Sequence, residues 1–409
     1  MKFRYSLLLI ASLLIFGCGS EKQITLENRK IIENAFTLQL VFGDDDTLGD
    51  YLITGSNTQP VAADNGDIIV TDESKLKVFD ENGNPKTLVG KPGEGPGEFG
   101  RFIFANITEN GNICAANNGR LSIFGPDYSL IETINMKNRQ IYKNLTEQNS
   151  WGDLYFNSMF AFSPEDIFIF TQSMDRRSVS MGNNYLILLY QNSDNVDVIK
   201  KFHQDYIHEF KKGDLSYYVY LMEKGGLTFA LLDSKKAAYS QTDVDKIQEN
   251  ERWYYLISIY DLESKETKTI KREYLPVAIP DSVLYPNLRA DYNGDQQIAR
   301  GTNRDGTMTT VYQKDMDEKK TELLKDLKYY PPVEWLFSDG KYLFVKTYEN
   351  DPQKGFIADV FDTETNKYLR SVYLPFRVHF KDGYAYKSGK RDGFPVIEKY
   401  KVDPTVYEK

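Results

Sequence analysis

Few side chains in this sequence are suited to chemistry. The chain has three histidines, His203, His208 and His379, and two cysteines, Cys18 and Cys114. A catalytic metal of the zinc type needs about three converging protein ligands. Only His379 falls in a segment read as an inner strand, so no histidine-based metal centre is expected. No Gly-x-Ser-x-Gly elbow and no Ser/His/Asp arrangement is visible. Cys114, in NICAA, reads as a small buried apolar residue. The loop GDDDTLGD at 43–50 could hold Ca²⁺ weakly, but it lacks the alternating ligands of calcium loops and reads as a solvated acidic loop. The stretch GKPGEGPGEF at 90–99 contains Gly-x-Gly. Pro96 removes a donor there, Glu94 and Glu98 repel anions, and no helix pattern follows, so it is not a phosphate cradle. No catalytic residue, cofactor or metal is expected, and these residues weigh against an enzyme.

Binding fits the residue types better. Arg289, Asp291, Glu334, Trp335, Arg377 and His379 all fall on segments read as inner strands lining an axial funnel. On strand 377–380, Arg377 and His379 share one face because side chains alternate. Each could instead pack between sheets. The Tyr-rich SYYVYLM at 216–222 could face a carbohydrate or a protein, or pack inside a cap.

The elements that hold these residues repeat along the chain. After Gln59, PVAADNGDIIVTDESKLKVFDENGNPKTLVG splits into four short strands with turns at DNGD and ENGN. Asn-Gly between alternating apolar residues marks a hairpin, and a type I′ turn requires positive φ at both central positions. The plan recurs over 103–134, 154–202, 227–275, 288–327, 333–374 and 376–402. The third strand of each unit ends in an aromatic: Phe79, Phe124, Tyr190, Tyr260, Tyr312, Phe361 and Tyr400. The last unit has no fourth strand, while a spare strand, TLQLVFG, lies at 37–43. We therefore expect an all-β propeller of four-stranded antiparallel blades over 36–404, closed by the N-terminal strand. Seven blades are expected, or six if 288–327 is an insertion. A β-sandwich is the rival fold. Short helices are expected in the connections 135–153 and 203–226, covering one end of the ring.

Composition agrees with this class. The chain has 409 residues, 14% of them aromatic, with a net charge of −9, which argues against nucleic-acid binding. At the N-terminus, Lys2 and Arg4 precede an apolar run, Ser6 to Phe16, too short to span a bilayer. It ends in Ile15-Phe16-Gly17-Cys18, which resembles a relaxed bacterial lipobox of the Bacteroidetes type. Residues 1–17 then read as a signal peptide, Cys18 as the lipid-attachment site and 18–35 as a tether. Ordinary secretory cleavage is the alternative. The expected address is the outer membrane, facing either the periplasm or the surface, with the lipid anchor as the only membrane contact.

At 78–99 the sequence resembles the blade junction of NHL-type propellers, through Val78-Phe79-Asp80, Gly83, Gly90, Gly93, Gly95, Pro96, Gly97, Glu98 and Phe99. It is most similar to bacterial NHL-like, "six-bladed β-propeller" lipoproteins. That resemblance implies a fold and an address but no activity. The reading that follows is a lipid-anchored envelope propeller that binds a protein or a glycan. The alternatives are a lyase or hydrolase working in the axial funnel, and a pure scaffold.

Overall fold

The computed structural model describes Leu26 and residues 29–408, apart from 56–57, 101–102, 109, 118, 136–152, 162–165, 175–180, 191–195, 204–206 and 233–234. The signal peptide, Cys18 and most of the connection 135–153 lie outside the described residues.

Sheets of four or five strands follow one another along the chain. The first holds Gln59–Ala62, Ile68–Asp72, Lys75–Phe79 and Pro85–Val89, and the second Phe104–Ile107, Ile113–Asn117, Arg120–Phe124 and Leu130–Asn135. The third runs from Asp153–Ala161 to Val196–His203. The fourth holds Leu227–Leu232, Lys236–Gln241, Arg252–Asp261 and Thr267–Tyr274, with Lys246–Glu249 added beside it. The fifth holds Val333–Asp339, Tyr342–Asp351, Gly355–Asp362 and Lys367–Leu374. The last holds His379–Lys381, Tyr384–Arg391 and Phe394–Val402. Phe36–Phe42 runs antiparallel to Phe394–Val402, with Phe36 opposite Val402 and Phe42 opposite Ile397. Residues 29–35, part of the segment read as a tether, run along the fifth sheet. There Ile31 pairs in parallel with Ser371, and Arg29 grips Glu349 through two hydrogen bonds of 3.0 and 2.7 Å.

Neighbouring sheets bury their faces against one another. The first and second share Val61, Ile69, Leu76, Ile103, Ile113 and Phe124. The last returns to the first through Phe42, Phe79, Tyr386 and Ile397. Serial antiparallel sheets covering each other's faces in this way make the fold an all-β propeller.

The turns depart in detail from expectation. Gly66, Gly83 and Gly111 adopt φ of +85°, +80° and +74°, whereas Asn65 and Asn82 stay out of that region. These hairpins therefore use one left-handed glycine after an ordinary turn, not a type I′ pair. Of the Asp/Asn-Gly turns at 65–66, 110–111, 293–294, 339–340 and 382–383, only Asp382-Gly383 has both residues positive, at +50° and +76°.

The expectation of seven blades is corrected. Residues 288–327 form no four-stranded sheet. They make a hairpin, Gln297–Thr302 with Met308–Tyr312, followed by the helix Gln313–Leu324. Met316, Leu323 and Leu324 recur at helical spacing on one face of that helix, which packs into a small apolar cluster joined by Leu327 just beyond it. Asp315 starts it by accepting from the Tyr312 backbone N–H at 2.8 Å. The helices expected over 203–226 are corrected as well. That segment is a hairpin, Ile207–Lys212 with Leu215–Tyr220, ending in the 3-10 turn Met222–Lys224. Val219 and Leu221 alternate inward, which is a strand period, and they pack against Leu324. Lys212 pairs with Asp315 at 2.6 Å. The two insertions thus meet in one cap.

GKPGEGPGEF joins the first sheet to the second. Phe99 is 2% exposed and plugs their shared core. Gly90, at φ +76°, lies so close to Phe99 that a Cβ there would sit 2.2 Å from the ring. Glu98 accepts from the Gly95 backbone N–H at 2.8 Å and pairs with Lys91 at 3.2 Å. The seam between the fourth and fifth sheets is built differently. Asp359, 2% exposed, accepts from the Tyr255 hydroxyl at 2.6 Å and from Ser371 Oγ at 2.5 Å. The Arg272 guanidinium lies 3.7 Å from that carboxylate and 3.7 Å above the Tyr368 ring.

Candidate functional site

In each antiparallel sheet, the turns after the first and third strands fall at one end. The connections from the fourth strand to the next sheet fall at the other, and the cap is built from two of these connections. Val333 enters the fifth sheet from the cap side, so Glu334 and Trp335 stand at the capped end of its first strand. A register shift between Val333 and Trp335 leaves Glu334 as an extra residue, re-aiming its carboxylate.

The structure brings Glu334, Trp335 and Arg377 together. Arg377 lies 4.4 Å above the Trp335 ring and 3.6 Å from the Glu334 carboxylate. Glu334 also pairs with Lys346 at 2.7 Å, and the Lys346 ammonium stands 3.9 Å from the centre of the Phe356 ring. Trp335 remains 38% exposed. His379 sits further along, its Nε2 sealed from solvent with no hydrogen-bond partner. Burial, helped by Lys381, pushes its pKa down to about 4, so the ring is neutral near pH 7.

Four residues that sequence reasoning passed over extend this group. Tyr330 and Tyr348 stack with ring centres 4.4 Å apart. Burial, with Glu334 close by, holds the Tyr348 hydroxyl well above the usual tyrosine range, so it stays a donor. Glu223, in the cap, pairs with Lys320 at 2.6 Å, and burial, with Glu223 close by, raises Tyr330. Lys346 completes the set. Lys346 and Tyr348 share a strand beside Glu334, and strand alternation could have found them. Glu223 and Tyr330 arrive from distant connections that carry no local signal.

Two expected funnel residues are elsewhere. Arg289 and Asp291 are exposed and follow the 3-10 turn Pro286–Leu288, not a first strand. Arg289 Nε donates to the Pro286 carbonyl at 3.3 Å. Pro280 and Pro286, just before these residues, belong to two short helical turns and keep the approach to them out of a sheet interior.

The remaining sequence candidates have structural roles. Asp45 accepts from the Thr47 backbone and hydroxyl at 2.9 and 2.7 Å, and Asp44 accepts from Arg391 Nε at 2.7 Å. The acidic loop therefore does not converge on a point. Among the described residues, no three His, Cys, Asp or Glu side chains are grouped to hold a metal. Cys114 is fully buried and its thiol is pushed up to about 12. Among the described residues, no helix is long and apolar enough to cross a membrane.

No family model matches this chain, and no curated protein does. Solved structures do resemble it. A putative exported protein from Bacteroides fragilis is 10% identical, covering 91% of this chain and 97% of its own, with a TM-score of 0.43. An oligogalacturonate lyase in complex with manganese is 10% identical over 86% of this chain and 90% of its own, with a TM-score of 0.39. The β-propeller domain of Nup133 from Vanderwaltozyma polyspora is 10% identical over 85% of this chain and 94% of its own, with a TM-score of 0.32. At such identities the likeness concerns the fold alone.

Proposed function

We propose that this chain is a lipid-anchored propeller of the cell envelope that binds a glycan at its capped end. Cys18 carries the lipid at the outer membrane, and Phe36–Phe42 closes the ring. The observation that supports the binding reading is the Trp335–Arg377–Glu334 group. It offers a partly exposed indole beside a cation and a carboxylate, with the Tyr330–Tyr348 stack adjoining. A sugar presents C–H faces that pack on aromatic rings and hydroxyls that bond charged groups, so it matches such a surface on both counts. Arg377 and Lys346 both face the Glu334 carboxylate, so charged donors and an acceptor lie side by side.

The test is glycan-array binding and calorimetry on the mature chain. Trp335→Ala and Arg377→Ala should each weaken the best glycan about tenfold or more, the effect of losing a central aromatic or arginine anchor. Full affinity in both variants would refute the site. The anchor is tested separately: Cys18→Ala should move the protein from the membrane fraction to the soluble fraction.

A further inference from the structure

The seam between the first and second sheets closes around Phe99 at one end. At the opposite end, away from the cap, it stays open. A cavity of about 280 Å³ lies there, close to the lower end of small-molecule sites at about 300 Å³. Its floor is Ala63, Ile69 and Ile113, the continuation of the apolar seam. Its walls are Asn65 and Asn110, from equivalent turns of the two sheets, and Tyr128.

Tyr128 is fixed from two directions. It adopts φ +68°, uncommon for a residue with a side chain. Its hydroxyl donates to Asp67, which is 3% exposed and also accepts from Lys86 at 2.6 Å and Asn65 at 2.8 Å. The charges around the cavity are matched. Lys86 answers Asp67, and Lys381 lies 2.5 Å from Asp64. Asn110 is exposed at the rim. An ion would meet no unpaired countercharge here, while a neutral ligand meets an apolar floor, a held aromatic ring and an amide.

We infer that this cavity is a second ligand site that takes one neutral, polyhydroxylated ring, the size of a single sugar unit. The apolar face of the ring packs on Ala63, Pro126 and Tyr128, above the buried Ile69 and Ile113, and its hydroxyls reach the Asn110 amide. The inference is independent of the capped-end reading, because the two sites share no residue.

The test titrates the full chain with glucose, galactose, glucosamine and glucuronate, read by saturation-transfer NMR and calorimetry. A neutral hexose should bind at least about tenfold more tightly than glucuronate or glucosamine, since burying an unpaired charge is unfavourable. Asn110→Trp, at an exposed turn, should fill the mouth and abolish binding without changing the melting temperature. If that variant misfolds, Asn110→Ala should weaken binding about fivefold, the loss of one hydrogen bond. Trp335→Ala should leave this binding intact. The inference is overturned if no neutral hexose binds at millimolar concentration, if a charged sugar binds best, or if a folded Asn110→Trp or Asn110→Ala variant binds as tightly as the parent.

Discussion

Two seams of this propeller solve the same packing problem in opposite ways. Between the first and second sheets the interface is apolar, and Phe99 fills the gap left where the chain crosses over. Between the fourth and fifth sheets a buried carboxylate, Asp359, is held by Tyr255, Ser371 and Arg272. Neither seam gains its stability from contact area alone. The apolar one depends on filled volume and tolerates change of shape. The polar one depends on complete pairing and tolerates little, because each group removed leaves another buried and unsatisfied.

The contrast can be broken most directly at Asp359. Asp359→Asn keeps the shape but removes the charge facing Arg272, and should destabilise the fold by about 3–5 kcal/mol in urea titrations. A loss below 1 kcal/mol would mean, on the same scale, that the polar seam is not distinctive. A third seam tests the rule with titration. His379, paired with Tyr386 on the face of the last sheet that packs against the first, is held at about 4 by burial, against 6.5 in an open chain. Between those values the unfolded chain binds a proton that the folded one refuses, so stability falls as pH drops through this window, by about 3 kcal/mol at most. His379→Gln should flatten that part of the pH–stability curve, and an unchanged slope would show that other groups set it.

Tyr255→Phe removes only one donor to Asp359 and should cost about 1–3 kcal/mol. Phe99→Leu, the matching test of the apolar seam, should cost less than about 1.5 kcal/mol because the core can repack around a similar volume. If Phe99→Leu proves worse than Tyr255→Phe, the contrast is reversed. The smallest effect is expected at Arg120, which pairs with Glu94 on the outside of the crossover at 2.9 Å. Arg120→Ala should leave the melting temperature unchanged, since exposed pairs add little.

The first two sheets are legible in the sequence because their turns carry glycines and their strands alternate cleanly. Phe99 is legible because glycines around an aromatic leave room for its ring. The helix Gln313–Leu324 is misread because VYQKD, which runs into its first turn, looks like a strand end, while the apolar spacing of Met316, Leu323 and Leu324 is spread thinly among charges. At the capped end, Glu334 and Trp335 follow from strand position, whereas the strand expected at 377–380 is corrected to His379–Lys381 and Arg377 lies in the connection before it. Glu223 and Tyr330 do not, because only the meeting of two connections far apart in sequence brings them there. Arg289 and Asp291 show the converse error, in which plausible residue types sit on a segment whose prolines keep it out of any sheet.

The pairing of Phe36–Phe42 with Phe394–Val402 also sets a timetable. The strand made early finds its partner about 350 residues later, roughly 20–70 s of synthesis at about 5–20 residues per second. Through that interval Leu38, Leu40 and Phe42 belong to an unmatched edge, the kind that other chains can join. Thr37 and Gln39, interleaved with them, keep the waiting strand from being continuously apolar.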